Sequence, residues 1–394
     1  MPHKKLRILF VTPYVPASNR LRPYRFIKEL VHLGHSVVVV CLVQPGWEYK
    51  FVDELKPLVE AVYPVIPNRL YSLFNILVSL PSNIPLSVAV SSSRQLHGIV
   101  KGLLAQSSFD LIHTEFVRAG QYTADFQGIP KLYDAVDSLA LAYHRALKNK
   151  HTRFEHRLLA FEEWLKMRSY ETGILHSFNR VIVSSPSDQS YLVDHGTPVD
   201  VLPNGVDLDY YHWMEEEKEA DSIVFLGKMN YYVNVDSITY FAKFIYPLIK
   251  AQRPGAHLTI VGYNPDRTVR NLSRDPSIVV TGGVPDVRPY FARSMVAIAP
   301  MISGSGIQNK ILQAMAVGTP VVTTSLARQA LQVTPGEHLL VADTAAQFAQ
   351  AVVAVLKDKS LQKKLSANAR RYVEECHNWN VIGQRLEDIY MEML

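Results

Sequence analysis

Three groups of residues in this 394-residue chain have the types and spacing to do chemistry. The densest lies at 300–324, where Ser303-Gly304-Ser305-Gly306 runs into an amphipathic stretch at 307–316, then Gly318, then the apolar run 320–324. Glycines let successive backbone N–H groups face one point, and a helix behind them adds its unpaired donors and the positive end of its dipole. Such a junction is an anion site, most naturally for a phosphate. Lys310, one turn into the helix, adds a full charge there, and Gln313 follows on roughly the same face. The second group, Asn19, Arg20 and Arg22, follows the first apolar run. It is read either as cations for a ligand at the C-terminal edge of a sheet or as a solvated pair at a helix start. The third is His113-Thr114-Glu115 together with Asp134 and Asp137, polar residues at strand ends where acid–base chemistry would be mounted. Asp137 reads as a ligand-orienting carboxylate or as a helix cap.

These groups need rigid elements to hold them. Residues 6–12 form an apolar run of buried-strand type, followed by a proline-rich turn, a helix over 21–33 ending at Gly34, and β-branched residues at 36–43. Strand, helix, glycine, strand is a βαβ unit, which predicts a parallel sheet with ligands at the C-terminal ends of its strands. No G-x-G-x-x-G follows the first strand, which argues against a dinucleotide fingerprint there. Further strands are expected at 109–113, 131–134 and 180–184. A second series starts at 222–226 and continues through 257–262, 278–281, 295–300, 320–324 and 337–341. Helical periodicity covers 143–170, 345–356, 361–372 and 379–393, the last with Trp379, Ile382, Leu386 and Tyr390 as its apolar stripe.

The run Gln313-Ala314-Met315-Ala316-Val317-Gly318-Thr319-Pro320-Val321-Val322 resembles the donor-binding segment of GT-B retaining glycosyltransferases of family 4, and Gly304-Ser305-Gly306…Lys310 before it resembles a variant familiar among bacterial surface-polysaccharide transferases. The family pattern places Glu where this chain has Ser305 and Gln313. Residues 201–207 (VLPNGVD) resemble the element that leads out of the first domain. Gly227-Lys228-Met229-Asn230 resembles the turn whose cation meets the donor diphosphate, and 282–287 (GGVPDV) the segment whose backbone reads the base.

The resemblance implies an α/β, GT-B architecture of two Rossmann-like domains, with parallel sheets facing a central cleft. The N-terminal acceptor domain would span 1–203, with the C-terminal helix 379–394 crossing back to it, and the donor domain would span 204–378. It implies transfer of a sugar, with retention, from a nucleotide-diphosphate sugar to a glycan, lipid-linked or other hydroxyl acceptor in surface polysaccharide or glycoconjugate synthesis. In that frame Lys228 and Lys310 meet the departing diphosphate, and Glu115 and Asp137 are the candidate catalytic acids. Gly227, Gly283, Val284, Ser303, Gly304, Ser305, Gly306, Ile307, Gln308 and Gln313 bind the donor, Gln313 through a ribose hydroxyl. Arg20, Arg22 and His113 bind the acceptor. Two other functions fit the same fold: a nucleotide-sugar epimerase or hydrolase using His113, Glu115 and Asp137, and a nucleotide-binding scaffold whose transferase site has decayed, as Ser305 and Gln313 suggest.

Length and an apolar content of 48 % allow two full cores, and a net charge of +5 suits an anionic donor or a membrane surface without demanding nucleic acid. Cys41 and Cys376 lie too far apart in sequence for a disulfide framework, and no His, Cys or Asp cluster has metal-ligand spacing. The expectation is therefore a metal-independent enzyme, with no cofactor beyond its sugar-nucleotide substrate, in a reducing cytoplasm. The apolar run behind Lys4, Lys5 and Arg7 reaches Pro13 too soon for a signal peptide. Residues 70–93 carry no charge but contain Pro81 and Pro85, so they make a poor spanning helix. They are either an ordinary buried helix and loop or the lipid-touching border of an acceptor site. The basic first half of 143–170 (Arg145, Lys148, Lys150, Arg153, Arg157) similarly reads as a solvated face or as a surface for anionic lipid at the inner face of the membrane.

Overall fold

Apolar runs too continuous for a one-faced sheet form the strands of two parallel sheets, each covered by helices on both sides. The computed structural model describes residues 4–17, 20–148, 154–192, 196–303 and 307–394. The chain separates into two compact units, residues 1–203 with 379–394, and residues 204–378.

Unit 1 is built on β1 (Arg7–Thr12), β2 (Ser36–Leu42), β3 (Ala61–Val65), β4 (Leu111–Glu115), β5 (Lys131–Val136), β6 (Arg180–Val183) and β7 (Val199–Val201). Their order is β3-β2-β1-β4-β5-β6-β7, every neighbouring pair parallel. Alternation along β1 serves both faces. Ile8 and Phe10 pack with Phe26 and Ile27 of α1 (Leu21–His32) and with Trp379, Ile382, Leu386 and Tyr390 of the C-terminal helix Trp379–Met393. Leu9 and Val11 pack on the other face with Leu96 and Val100 of the helix Arg94–Gln106.

The uncharged stretch contains α2 (Arg69–Ser79), started by the Asn68 side chain, which accepts the N–H groups of Leu70 and Tyr71. The single helix expected over 143–170 is instead a pair, α3 (Leu139–Lys148) and α4 (Phe154–Leu175). Glu171 of α4 explains where α3 begins: it accepts the N–H groups of Leu139 and Ala140 and the Ser138 hydroxyl. Lys150 and Arg153 lie outside the described residues.

Unit 2 repeats the plan with β8 (Ser222–Leu226), β9 (His257–Val261), β10 (Ile278–Gly282), β11 (Val296–Ala299), β12 (Val321–Thr323) and β13 (Leu340–Val341), in the order β10-β9-β8-β11-β12-β13. Ile223 and Phe225 of β8 face Ile238 of α5 (Tyr232–Tyr240) and the helix Ala345–Lys357. Val224 faces Ile311, Leu312 and Met315 of α6 (Asn309–Val317). α6 stops because Gly318 adopts a left-handed φ of +88°, and a Cβ there would fall 2.8 Å from the Trp213 ring.

Candidate functional site

In each sheet the strand order reverses beside the first strand, between β1 and β4 in unit 1 and between β8 and β11 in unit 2. Loops that leave in opposite directions open a crevice at such a point. The two reversal points are furnished very differently.

At the unit 2 reversal the wall is backbone. Gly227 N–H donates to Val261 O (3.1 Å), Gly262 N–H to Gly282 O (3.0 Å) and Met229 N–H to Tyr263 O (2.9 Å), so the ends of β8, β9 and β10 are knitted together. Only glycine fits at 262, where φ is +156° and a Cβ would lie 1.7 Å from Gly227 O. Gly283 is exposed beside the ring of Tyr263, and Val284 follows it half-buried. Lys228 is exposed at the tip of the first turn.

After β11 the chain passes Ser303, whose buried hydroxyl has no hydrogen-bond partner among the described residues. It re-emerges at Ile307 and Gln308, and among the described residues no side chain caps the start of α6. Those helix-start N–H groups remain available to an anion. Gly304, Ser305 and Gly306 lie outside the described residues. Gln313 is half-buried one turn along α6, and the helix begins at Asn309 rather than 307.

Lys310 corrects the sequence reading. Its Nζ is turned into unit 2, donating to Asn234 Oδ1 (2.6 Å) and lying 4.4 Å over the Phe225 ring, with the residue 9 % exposed. Burial lowers its pKa to about 7. The ammonium is not presented at the crevice. It ties α6 to the turn after β8, because Asn234 Nδ2 donates in the other direction to Lys228 O (3.1 Å). Asn234 is thus the joint between two segments of the site, bonded to a residue 76 positions away.

At the unit 1 reversal the furnishing is side chains, and three sequence assignments meet obstacles. Arg22 is buried and committed inward: Nε and Nη2 donate to Asp134 (2.7 and 3.1 Å) and Nη1 to Leu202 O (2.9 Å). His113 has no exposed surface. It stacks on Phe10 with centroids 4.2 Å apart, Nδ1 meets the Tyr390 hydroxyl at 2.6 Å, and burial holds its pKa well below the ordinary histidine range. Neither residue reaches an acceptor; both lock α1 and the C-terminal helix to the sheet.

Glu115, at the end of β4, is also fully buried, accepting the Tyr14 hydroxyl at 3.0 Å. Burial, aided by Asp134, lifts its pKa from 4.5 to about 8, so the carboxyl carries its proton at neutral pH. Asp137 is half-buried and accepts the Ser184 hydroxyl (2.6 Å), whereas the capping of α3 falls to Ser138, which accepts Leu141 N–H (3.1 Å). Arg20 pairs with Glu48 (2.5 Å) and lies 4.9 Å over the Tyr14 ring. Tyr14 and Arg118, which the motifs do not flag, share this edge with it.

The comparisons with known proteins agree on the class. The family model described as Glycosyltransferase Family 4 matches residues 23–210, and that described as Glycosyl transferases group 1 matches residues 220–358. With matches across both units, the chain belongs to the family-4-like glycosyltransferases of GT-B fold.

Among curated relatives, an uncharacterized 44.6 kDa protein in the cps region of Klebsiella pneumoniae is 21 % identical over 60 % of this chain, a match spanning 62 % of that relative's length. A phosphatidyl-myo-inositol mannosyltransferase of Mycolicibacterium smegmatis is 24 % identical over 75 % of this chain and 74 % of its own length. Among solved structures, Anabaena Alr3699/HepE in complex with UDP and glucose superposes with a TM-score of 0.66 at 13 % identity, covering 98 % of this chain and 99 % of that one.

Proposed function

We propose that this glycosyltransferase moves a sugar, with retention of configuration, from a nucleotide-diphosphate sugar held at the unit 2 reversal point to a hydroxyl acceptor, in surface polysaccharide or glycolipid synthesis at the cytoplasmic face of a membrane. One observation carries the reading: the turn at Gly227–Lys228, Gly262, Gly283–Val284 and the uncapped start of α6 all line one edge of one sheet. An edge short of side chains lets a base and a diphosphate approach the backbone closely. As the bond from sugar to diphosphate breaks, negative charge accumulates on the leaving phosphate. Lys228 and the helix-start amides meet it in a fixed arrangement. This needs no metal ion and no cofactor besides the donor.

Lys310 acts at one remove, holding Asn234 and through it the Lys228 turn. Gln313 bonds a ribose hydroxyl, and Asp137 orients the acceptor. The Anabaena neighbour solved with UDP and glucose supports the donor class, the cps-region relative supports the surface-polysaccharide setting, and the mannosyltransferase relative supports hexosyl transfer. Among the described residues no helix is long and apolar enough to cross a membrane.

Thermal-shift screening of nucleotide diphosphates and their sugars, followed by product analysis with and without acceptor, tests the reading. One sugar nucleotide should raise the melting temperature, and the product linkage should keep the donor's anomeric configuration. Free sugar or an epimerised donor formed without acceptor would make the chain a hydrolase or epimerase instead. Lys228→Ala should lower turnover about 10²- to 10³-fold with the fold intact; unchanged turnover would remove the proposed charge stabilisation.

A further inference from the structure

Unit 1 holds a groove of about 900 Å³ at the C-terminal ends of β1, β2 and β3, walled on one side by α2. Among its described lining residues the cations are Arg20, Arg69 and Arg118, and the one carboxylate is Glu48. Glu48 is already used: one oxygen holds Arg20 and the other accepts Gln44 N–H at 2.7 Å. Glu115, behind Tyr14, adds no charge while it keeps its proton. Two guanidinium groups are left over.

Arg69 is exposed. Arg118 is half-buried, stacked 5.0 Å over the Phe116 ring, and its buried Nε has no hydrogen-bond partner among the described residues. A guanidinium whose Nε is buried without an acceptor is costly, and its planar fork suits a phosphate. The natural remedy is a ligand that brings the anion.

The wall has a second property. Arg69, Ser72, Leu73 and Ile76, at helical spacing, face the groove. The next stripe of α2 over, Leu70, Leu73, Phe74 and Leu77, is left in solvent, with Leu70 78 % and Leu77 66 % exposed, and Leu80 and Ile84 prolong it. An apolar stripe of that length on one exposed helix marks a binding surface rather than ordinary scatter. Leu73 belongs to both sets, so the cationic groove passes into the apolar stripe without a break.

We propose that the groove binds a phosphate-bearing lipid, with the phosphate on Arg118 and Arg69 and the hydrocarbon chain laid across Leu73 onto the outer face of α2. A soluble sugar phosphate would leave that face uncovered, and a neutral lipid would leave Arg118 unpaired. Only in calling this lipid the sugar acceptor does the proposal rest on the transferase reading. The charge-free stretch at 70–93 is then the segment that receives the lipid.

Calorimetry on the full chain with three probes tests this: farnesyl phosphate below its aggregation threshold, farnesol, and inorganic phosphate. Farnesyl phosphate should bind about 100-fold more tightly than either of the others, because each part of the ligand meets its own surface. Arg118→Gln should weaken farnesyl phosphate about tenfold or more and leave farnesol unchanged, as loss of a charge-assisted contact requires. The pair Leu73→Ser with Leu77→Ser should bring farnesyl phosphate toward the affinity of inorganic phosphate. Two results overturn the proposal: inorganic phosphate binding as tightly as farnesyl phosphate, or farnesyl phosphate indifferent to Arg118→Gln. Circular dichroism and melting of each variant guard against misfolding. Nucleotide binding, measured separately, keeps the two readings apart. Nucleotide binding without farnesyl phosphate binding sinks only the lipid site, and the converse sinks only the donor assignment.

Discussion

The two reversal points share a topology and differ in material. In unit 2 the edge is glycine, backbone N–H and one exposed lysine, with the second lysine drawn inside as a tie. In unit 1 the same edge is filled with side chains: Arg22 locked to Asp134, a proton-bearing Glu115 under Tyr14, and a groove with arginines to spare. A backbone-walled crevice recognises what many ligands share, such as a diphosphate. A side-chain-walled one recognises what sets a ligand apart. One parallel-sheet plan thus yields a backbone-walled edge and a side-chain-walled one, and the contrast can be attacked from either side.

The largest effect should come from the unit 1 interior. Arg22→Met leaves Asp134 buried without its ion-pair partner, which costs about 3–5 kcal/mol. Chemical denaturation should show that loss; a variant as stable as the parent would mean that Arg22 is available for ligand after all, as its place in the sequence suggests.

Next is Glu115. Its folded-state pKa is raised, so between pH 4.5 and about 8 the folded state holds more protons than the unfolded, and stability falls as pH rises through that window. Glu115→Gln keeps an acceptor for the Tyr14 hydroxyl and removes the titration. Relative to the parent it should gain about 2 kcal/mol between pH 6 and 7.5, at 1.36 kcal/mol per unit. Parallel stability–pH curves for parent and variant would show that Glu115 is ionised and not the neutral acid described above.

Unit 2 supplies the smaller effects, because its side chains act through the backbone. Lys310→Met and Asn234→Ala should each weaken nucleotide-diphosphate binding about tenfold, and the double variant should be little worse than either, since both cut the same tie to Lys228 O. Additive losses would separate the two residues. Lys310 also has a pH signature of opposite sign to that of Glu115. Its pKa is depressed to about 7, so the unfolded state holds more protons above that, and stability rises toward pH 10 in the parent but not in Lys310→Met.

The same contrast governs what the sequence discloses. The unit 2 edge is legible because close backbone approach demands small residues at fixed local spacing, as at Gly227, Gly283 and the 313–322 run. What it hides is direction: nothing local to Lys310 shows that its ammonium finds Asn234. The α/β class and most strands follow from apolar runs. β3 does not, since Pro64 interrupts its pattern, and it is tolerated because β3 is an edge strand. In unit 1 the groove draws Tyr14, Arg20, Glu48, Arg69 and Arg118 from two loops, α2 and the one-turn helix Val117–Gly120, with no motif joining them. The polar residues that do look like a site, Arg22 and His113, turn into the core.

Gln313 offers the finest probe. The family's Glu at this position would accept a ribose hydroxyl through a charge-assisted bond, roughly twice as strong as one to an amide. Gln313 is half-buried and makes no side-chain hydrogen bond among the described residues, so an acid there displaces no existing contact. Gln313→Glu should therefore raise nucleotide-diphosphate affinity, by less than about 1 kcal/mol, with no change in melting temperature. Competitive displacement by a 2′,3′-dideoxynucleotide diphosphate would locate the gain: the variant should lose its advantage when the hydroxyls are gone. A gain that persists with the dideoxy ligand would place Gln313 on some other part of the donor and return the ribose to the backbone that lines the rest of this edge.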